Sequence, residues 1–475
     1  MIRRGVWLKT LTLVAVETGI ILTVVLLGLY LRFTPRLGAI LFEQRGVYKV
    51  ALTTCVCQFI FYFFDLYDVS TTRSKRELFT HLLQAVGVIC VTLGLVFLLR
   101  PTLLLGYLEP AGGGSGAVRF GNGVMVMALI LALGLMTCWR VLIHWLLRHP
   151  GLSERILIVG TGGPAVELAR EVMSRRDLGY RIIGFVAEDA ALVGQSLFNP
   201  SVVGVVRDLG EIVDRERADR VVVALQDRRG HLPVDQLLDL RLQGSVAIEE
   251  GTALYERVTG KISVEMLRPS WIIFSGGARR GRAWALARRA LNVGGALAGL
   301  AFALPVALLT AAAIKLDSRG PVLYTQERVG KNNRPFTIIK FRSMHLDAEK
   351  DGPVWAAAGD DRITRVGRLI RRMRIDELPQ FVNILRGEMS FVGPRAERPY
   401  FVRQLTEILP FYSQRHLVEP GLTGWAQINY GYGASVEDAL QKLQYDLYYI
   451  KNASLLFDLW VLLKSVKIVL FGRGR

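Results

Sequence analysis

Cysteine is scarce in this chain, with four residues in 475: Cys55, Cys57, Cys90 and Cys138. All four lie in apolar runs, and Cys55-x-Cys57 is too tightly spaced for the usual metal-binding pair. That excludes a disulfide framework and a cysteine zinc site, and leaves four small hydrophobic side chains. No small-residue cleavage site follows the first apolar run, so no removable signal peptide is expected. Zinc-finger and RNA-recognition signatures are missing. So is any Tyr-x-x-x-Lys pair, which counts against a dehydrogenase or dehydratase. Acidic residues are the minority: 41 Asp and Glu face 59 Lys and Arg, a net charge of +18.

What the chain has instead is apolar length and arginine. Its hydrophobic fraction is 51% and its mean hydropathy +0.32, both high for a soluble protein. A basic chain seeks nucleic acid, an anionic membrane surface or a phosphorylated substrate. Here the arginines stand beside apolar stretches and phosphate-like motifs, so no nucleic-acid partner is expected. Four runs have the roughly 20-residue length of a membrane-spanning helix. They fall near Leu11–Leu31, Val47–Tyr67, Leu78–Leu99 and Val124–Leu147. Arg73, Lys75 and Arg76 mark a cytoplasmic loop, and the Gly-rich link Ala111–Gly123 an external one. Arg3, Arg4 and Lys9 place the N-terminus inside, while Arg32, Arg36, Arg45 and Lys49 argue the other way. Parity puts the C-terminal half in the cytoplasm.

From Glu154 the pattern changes to short β-branched runs alternating with helical stretches, the signature of a small parallel α/β domain. Arg155–Val159, Arg181–Val186 and Arg220–Leu225 read as strands, and Val166–Met173 as a helix. Between the first strand and that helix stands Gly160-Thr-Gly162-Gly163-Pro-Ala165. Such a turn offers backbone N–H groups to a phosphate, with Glu188 or Asp189 placed to accept a ribose hydroxyl. Pro164 removes one donor, so ligand binding and a purely structural role stand level. The chain then turns basic (Arg279, Arg280, Arg282, Arg288, Arg289) and enters the apolar segment Ala290–Ile314, interrupted by Pro305. It ends in an amphipathic stretch, Leu455–Leu470.

Chemistry concentrates after Lys315. Arg374-Ile-Asp376-Glu377-Leu-Pro379-Gln380 sets two adjacent carboxylates before a proline suited to a first helical turn. The helix Gln380–Arg386 is predicted to end at Gly387. Carboxylates there are ordinary capping residues, but their surroundings are not ordinary. Lys340-Phe-Arg342-Ser-Met follows the strand-like Phe336–Ile339. Asp360-Asp361-Arg362, Gly367-Arg368, Arg371-Arg372 and Val392-Gly393-Pro394-Arg395 follow. Arginine matches phosphate geometry with a planar fork, and Gly-Pro turns fix where the fork points.

The run from Tyr324 to Asn429 closely resembles the bacterial polyprenyl-phosphate sugar-1-phosphate transferases, the monotopic phosphoglycosyl transferases. The matching pieces are Lys-Phe-Arg-Ser-Met, Asp-Glu-Leu-Pro-Gln-x-x-Asn, Gly-x-Met-Ser-x-Val-Gly-Pro-Arg and Pro420-Gly-Leu-Thr-Gly-Trp425-Ala-Gln427. Tyr445-Asp-x-x-Tyr-Ile-x-Asn452 fits as well. Two positions depart from the pattern: Ala396 follows Gly-Pro-Arg395 where proline is usual, and Leu304 precedes Pro305 where serine is frequent.

The resemblance implies a long form of the family. Residues 1–150 would be a four-helix transmembrane bundle and 151–277 a Rossmann-like α/β domain. A basic, re-entrant membrane helix would occupy 278–320, and a small, mainly α (α+β) catalytic domain 321–475. It implies transfer of a hexose-1-phosphate from a UDP-sugar to undecaprenyl phosphate at the bacterial inner membrane. Asp376 would be the nucleophile and Glu377 its acid/base or metal-organising partner, the two holding Mg²⁺. Arg395, Lys340, Arg342 and Arg362 would contact substrate, with Trp425 and Gln427 packing a loop. The lipid bilayer is the expected partner, with room left for a homo-oligomer. Two rival classes, a membrane-anchored nucleotide-sugar oxidoreductase and a non-catalytic export protein, do not account for the phosphate-handling array.

Overall fold

The computed structural model describes residues 14–24, 26–27, 30, 46–64, 66, 75–99, 134–142, 153–175, 178–197, 199–225, 232–244, 246–267, 281–348, 350, 360–431, 433 and 435–471. Contacts divide the chain into two compact units, one of residues 1–160, 169–222 and 232–248, the other of 161–168, 223–231 and 249–475.

In the first unit four helical stretches share one core: α1 (Val14–Val24), α2 (Gly46–Phe63), α3 (Lys75–Leu99) and α4 (134–142). Ile21, Ile60, Phe61, Leu82, Ala85 and Met136 meet there. Glu17 and Arg140, both buried, pair at 2.7 Å, the compensation that charges need away from water. These stretches fall on the four expected apolar runs. Parts of the first and last runs, and the whole Ala111–Gly123 link, lie outside the described residues. Among the described residues only the later helix Arg282–Asp317 is long and apolar enough to cross a membrane.

The α/β part is a five-stranded sheet in the order β3-β2-β1-β4-β5. Its strands are β1 (Glu154–Val159), β2 (Tyr180–Ala187), β3 (Val202–Val205), β4 (Arg220–Val223) and β5 (Ala247–Glu250). β1 pairs in parallel with β2, and β2 with β3. Ile156–Val159 are fully buried, as a continuous apolar run in a covered parallel strand should be. Gly160 adopts φ 122°, and α5 (Gly163–Ser174) starts directly at the glycine turn, earlier than expected. Asp189 is engaged locally: its side chain accepts from Ala191 N at 2.9 Å.

From Glu249 the chain belongs to the second unit. After α6 (Gly251–Thr259) the backbone lies against the C-terminal region. Trp425 Nε1 donates to Gly260 O at 2.8 Å, Ile262 N to Gln444 O at 3.1 Å, and Lys451 pairs with Glu256 at 2.7 Å.

The apolar helix α7 spans Arg282–Asp317, 36 residues and about 54 Å at 1.5 Å per residue. The helix is continuous through Pro305. Both ends of α7 pack against elements of the second unit. In its first half, Gly295 and Gly299 leave room for Phe391 and Phe381: a Cβ on either glycine would come within 2.8 Å of a ring carbon. At its end, Ile314 packs with Phe341 and Ile370, and Asp317 accepts from Val366 N at 3.1 Å. The middle is bare: Phe302 is 86% and Leu309 73% exposed.

Arg288 is the strongest tie at the start of α7. Its buried guanidinium meets Asp458 Oδ2 at 3.1 Å, Glu419 Oε2 at 2.9 Å, the Val392 carbonyl at 2.6 Å and the Tyr449 hydroxyl at 3.0 Å. Breaking a buried pair costs more than forming it gains, because the other charge stays behind. Arg288→Met is therefore expected to destabilise the second unit by roughly 3–5 kcal/mol, read as a lowered unfolding midpoint of the detergent-solubilised protein.

Candidate active site

Three short segments bring charge to one place. The first is the hairpin of β6 (Leu323–Val329) and β7 (Pro335–Phe341), paired with Tyr324 opposite Lys340 and Arg328 opposite Phe336. Residues directly opposite in an antiparallel pair share a face, and alternate residues along a strand return to it. Tyr324, Gln326 and Arg328 thus lie on the face of Ile338 and Lys340, and Ile338 is buried.

The second segment carries the acidic pair. α8 (Arg365–Arg372) is capped by Thr364, whose hydroxyl accepts from Gly367 N at 2.9 Å. Arg374 then takes a left-handed conformation, φ 58°, which turns the chain into the 3₁₀ turn Ile375–Glu377. Next comes α9 (Gln380–Arg386), closed by Gly387 at φ 84° as its sequence predicts. Asn383, fully buried, fastens α9 to β7: Ile339 N donates to its side chain at 3.1 Å, and its amide donates to Thr337 O at 2.7 Å.

The third segment is the Gly-Pro-Arg turn after β8 (Ser390–Val392), which pairs in parallel with β9 (Gly421–Thr423). A Cβ on Gly393 would lie 2.3 Å from Glu419 O, and one on Gly424 2.1 Å from Gly393 O. Only glycine permits this approach, which is why two separate motifs carry it. Arg288 holds the Val392 carbonyl on one side of the turn, and Arg415 donates to the Arg395 carbonyl at 3.1 Å on the other.

Asp376 and Glu377 are both buried. Oε1 of Glu377 lies 3.0 Å from Arg395 Nη2 and 3.5 Å from both Lys340 Nζ and Arg374 Nη1. Burial alone would raise the Glu377 pKa; Arg395, Lys340 and Arg374 override it and bring it down to about 2. Asp376 moves the other way, raised first by burial and then by the charge of Glu377. Environment thus splits two neighbouring carboxyls into a permanent anion and a group that titrates more easily, a pattern found where one must do chemistry.

Of the residues predicted from sequence, Asp376, Glu377, Lys340 and Arg395 come together. Arg342 turns to the end of α7, donating to the carbonyls of Arg319 at 2.5 Å and Ser318 at 2.9 Å. Arg362 pairs with Asp360 at 2.6 Å and donates to Ala348 O at 3.0 Å. Arg374 was missed, though its place one turn before Glu377 is a readable signal. Arg415 and its partner Asp446, 2.8 Å apart and buried, left no such signal. Trp425 packs as expected, stacked 6.0 Å from Tyr448 and tilted 5.1 Å from Trp460. Among the described residues no cluster of three His, Cys, Asp or Glu side chains forms a ready metal cage.

Comparison with known proteins places these features. The family model described as bacterial sugar transferase matches residues 283–472, and one described as a CoA-binding domain matches 62–231. A UDP-N-acetylgalactosamine-undecaprenyl-phosphate N-acetylgalactosaminephosphotransferase of Aeromonas hydrophila is 39% identical over 56% of this chain and 62% of its own length. An undecaprenyl-phosphate glucose phosphotransferase of Komagataeibacter xylinus is 34% identical over 68% of this chain and 60% of its own. The chain thus spans somewhat less than two thirds of these two relatives. A UDP-glucose:undecaprenyl-phosphate glucose-1-phosphate transferase of Caulobacter vibrioides is 44% identical over 39% of this chain and 70% of its own length. With the charged cluster, its glycine-locked turn and the helix beneath them all inside the matched region, the chain belongs to the bacterial sugar transferase family.

Proposed function

We propose that this protein transfers a hexose-1-phosphate from a UDP-sugar to undecaprenyl phosphate, giving the lipid diphosphate sugar and UMP. That step would begin the assembly of an exopolysaccharide, O-antigen or capsule. The observation that carries the reading is the convergence of Lys340, Arg374 and Arg395 on Glu377 beside the buried Asp376. Phosphoryl transfer asks a protein for position and for cations around the phosphate oxygens. The names of the relatives, which specify undecaprenyl phosphate and either glucose or N-acetylgalactosamine, support the substrates.

In the mechanism, an Asp376 oxygen attacks the sugar-side phosphorus of the diphosphate. The bond from that phosphorus to the bridging oxygen breaks, and UMP leaves with the electron pair. The lipid phosphate oxygen then attacks the phospho-aspartate, breaking its O–P bond and restoring the carboxylate. Arg395, Lys340 and Arg374 neutralise charge on the phosphate oxygens, and Glu377 holds the three in place between substrates. Mg²⁺ takes one or two carboxylates plus substrate oxygens, so two adjacent carboxylates suit it without a third protein ligand. Asp376, with Glu377, would hold the ion, which would supply further positive charge to the diphosphate.

The same reading sets the protein in the bacterial inner membrane as a multi-pass protein, α1–α4 spanning it and the catalytic site facing the cytoplasm. The helix α7 is read as entering the bilayer and returning. Its bare apolar middle supports entry, and the attachment of both ends to one domain supports return, since a crossing helix would part them.

Purified Asp376→Asn is expected to fold normally and release no UMP from UDP-glucose or UDP-N-acetylgalactosamine with undecaprenyl phosphate. Near-normal release would remove Asp376 from the nucleophile's role. The pH profile gives a second check. The nucleophile must be ionised and its pKa is raised in the free protein, so kcat/KM should fall on acidification with a midpoint above 3.8, the ordinary aspartate value. A profile flat down to that value would point to another group. For the membrane reading, cysteines at Arg282 and Asp317, in a background lacking the native four, should both label from the cytoplasm. Periplasmic labelling at Asp317 would mean that α7 crosses.

A further inference from the structure

The helix α8, which leads into the acidic pair, carries four arginines and no acid: Arg365-Val-Gly-Arg368-Leu-Ile-Arg371-Arg372. One side of it faces inward. Gly367 and Ile370 are buried, and Ile370 packs with Ile314 of α7. Arg371 is half-buried on that side, its Nε donating to Ser343 Oγ at 2.8 Å, and its charge is felt at Asp376 together with that of Arg374. The other side serves nothing so far described. Residues three and four apart on a helix are neighbours, so Arg365, Arg368, Leu369 and Arg372 share one face, which Met373 continues. All five are exposed, Leu369 at 58% and Met373 at 53%. Among the described residues no hydrogen bond or ion pair engages the side chains of Arg365, Arg368 and Arg372. Asp361 is the one exposed acid between residues 360 and 374.

The end of α7 continues the pattern. Asp317 accepts from Val366 N, so α8 begins where α7 finishes. Just before Asp317, Lys315 and Leu316 are both exposed, Leu316 at 89%. Large apolar side chains set among cations are the composition of a surface that rests on a bilayer. The apolar groups enter the headgroup boundary while the cations stay with the phosphates.

We propose that this face of α8 lies on the membrane surface, with Leu369 and Met373 at the acyl boundary and Arg365, Arg368 and Arg372 on anionic phospholipid headgroups. The proposal rests on the reading of α7 as a helix that enters the bilayer. A soluble phosphate would answer the three charges but leave the two apolar side chains in water, which favours lipid. From α8 the chain runs through Arg374 into the turn of Asp376 and Glu377. A seat on the headgroups therefore sets the acidic pair at the level of a lipid-borne phosphate.

The test uses the full chain, its native cysteines replaced, in nanodiscs of phosphatidylcholine alone or mixed with phosphatidylglycerol. An environment-sensitive fluorophore is placed at Leu369→Cys and, in a separate protein, at Leu309→Cys in the bare middle of α7. Lipids bearing a nitroxide near the headgroup or deep in the chain then quench each label according to its depth. The Leu369 label should be quenched by the shallow nitroxide in the mixed bilayer. It should lose most of that quenching in Arg365→Gln/Arg368→Gln/Arg372→Gln, and in the unsubstituted helix at high salt, which screens headgroup attraction. The Leu309 label should be quenched by the deep nitroxide throughout. An unquenched Leu369 label beside a quenched Leu309 label overturns the docking and leaves the α7 reading standing. If neither position is quenched, α7 does not enter the bilayer and the docking falls with it. Quenching at Leu369 that ignores both phosphatidylglycerol and the three glutamines overturns the anionic-lipid contact. In detergent micelles the triple variant should keep the wild-type KM for the UDP-sugar; a rise there would assign these arginines to the substrate instead.

Discussion

A carboxylate buried beside a second carboxylate persists only where cations come to it, and at Glu377 three of them reach one oxygen. Each arrives on a different piece of chain, and each piece is pinned separately. Lys340 rides on β7, which Asn383 fastens to the helix after the acidic pair. Arg374 is itself the left-handed residue that turns the chain into the 3₁₀ turn. Arg395 follows a turn in which glycine backbones touch and two buried arginines grip the flanking carbonyls. The geometry of the site is thus the sum of three local constraints that meet at one charge.

Residue identity announced those constraints unevenly. Asp376-Glu377-Leu-Pro379 and Gly387 fix a turn, a helix and its end through backbone preferences that act within a few residues, so they were readable in advance. The parallel strands were equally plain, because a strand covered on both faces must be apolar throughout. Arginine is harder. The same fork that suits a phosphate suits two backbone carbonyls, and Arg342 uses it on the end of α7. Arg415 and Asp446 are 31 positions apart and meet only through the fold.

The α/β sheet and the catalytic region are joined in sequence by a segment that serves the second unit. Gly260, at φ 70°, offers its carbonyl to Trp425, and a side chain there would meet the indole at 3.1 Å. Trp425 in turn stands among Tyr445, Tyr448, Phe457 and Trp460. The aromatic cluster is therefore closed by backbone that composition would assign to the preceding domain. Its edge is set by a hydrogen bond and a left-handed glycine rather than by a change in sequence character.

Arg288 bears on how the chain is made. Its partners Glu419, Tyr449 and Asp458 follow it by 131, 161 and 170 residues. During synthesis the apolar helix leaves the ribosome well before any of them exists. For that interval α7 carries at its start a guanidinium whose partners do not yet exist, ahead of an apolar, unaccompanied middle. Its final seating must await the last helix, Leu455–Phe471, which brings Asp458. Birth order therefore runs opposite to structural dependence: α7 is made long before the side chains that fix its start.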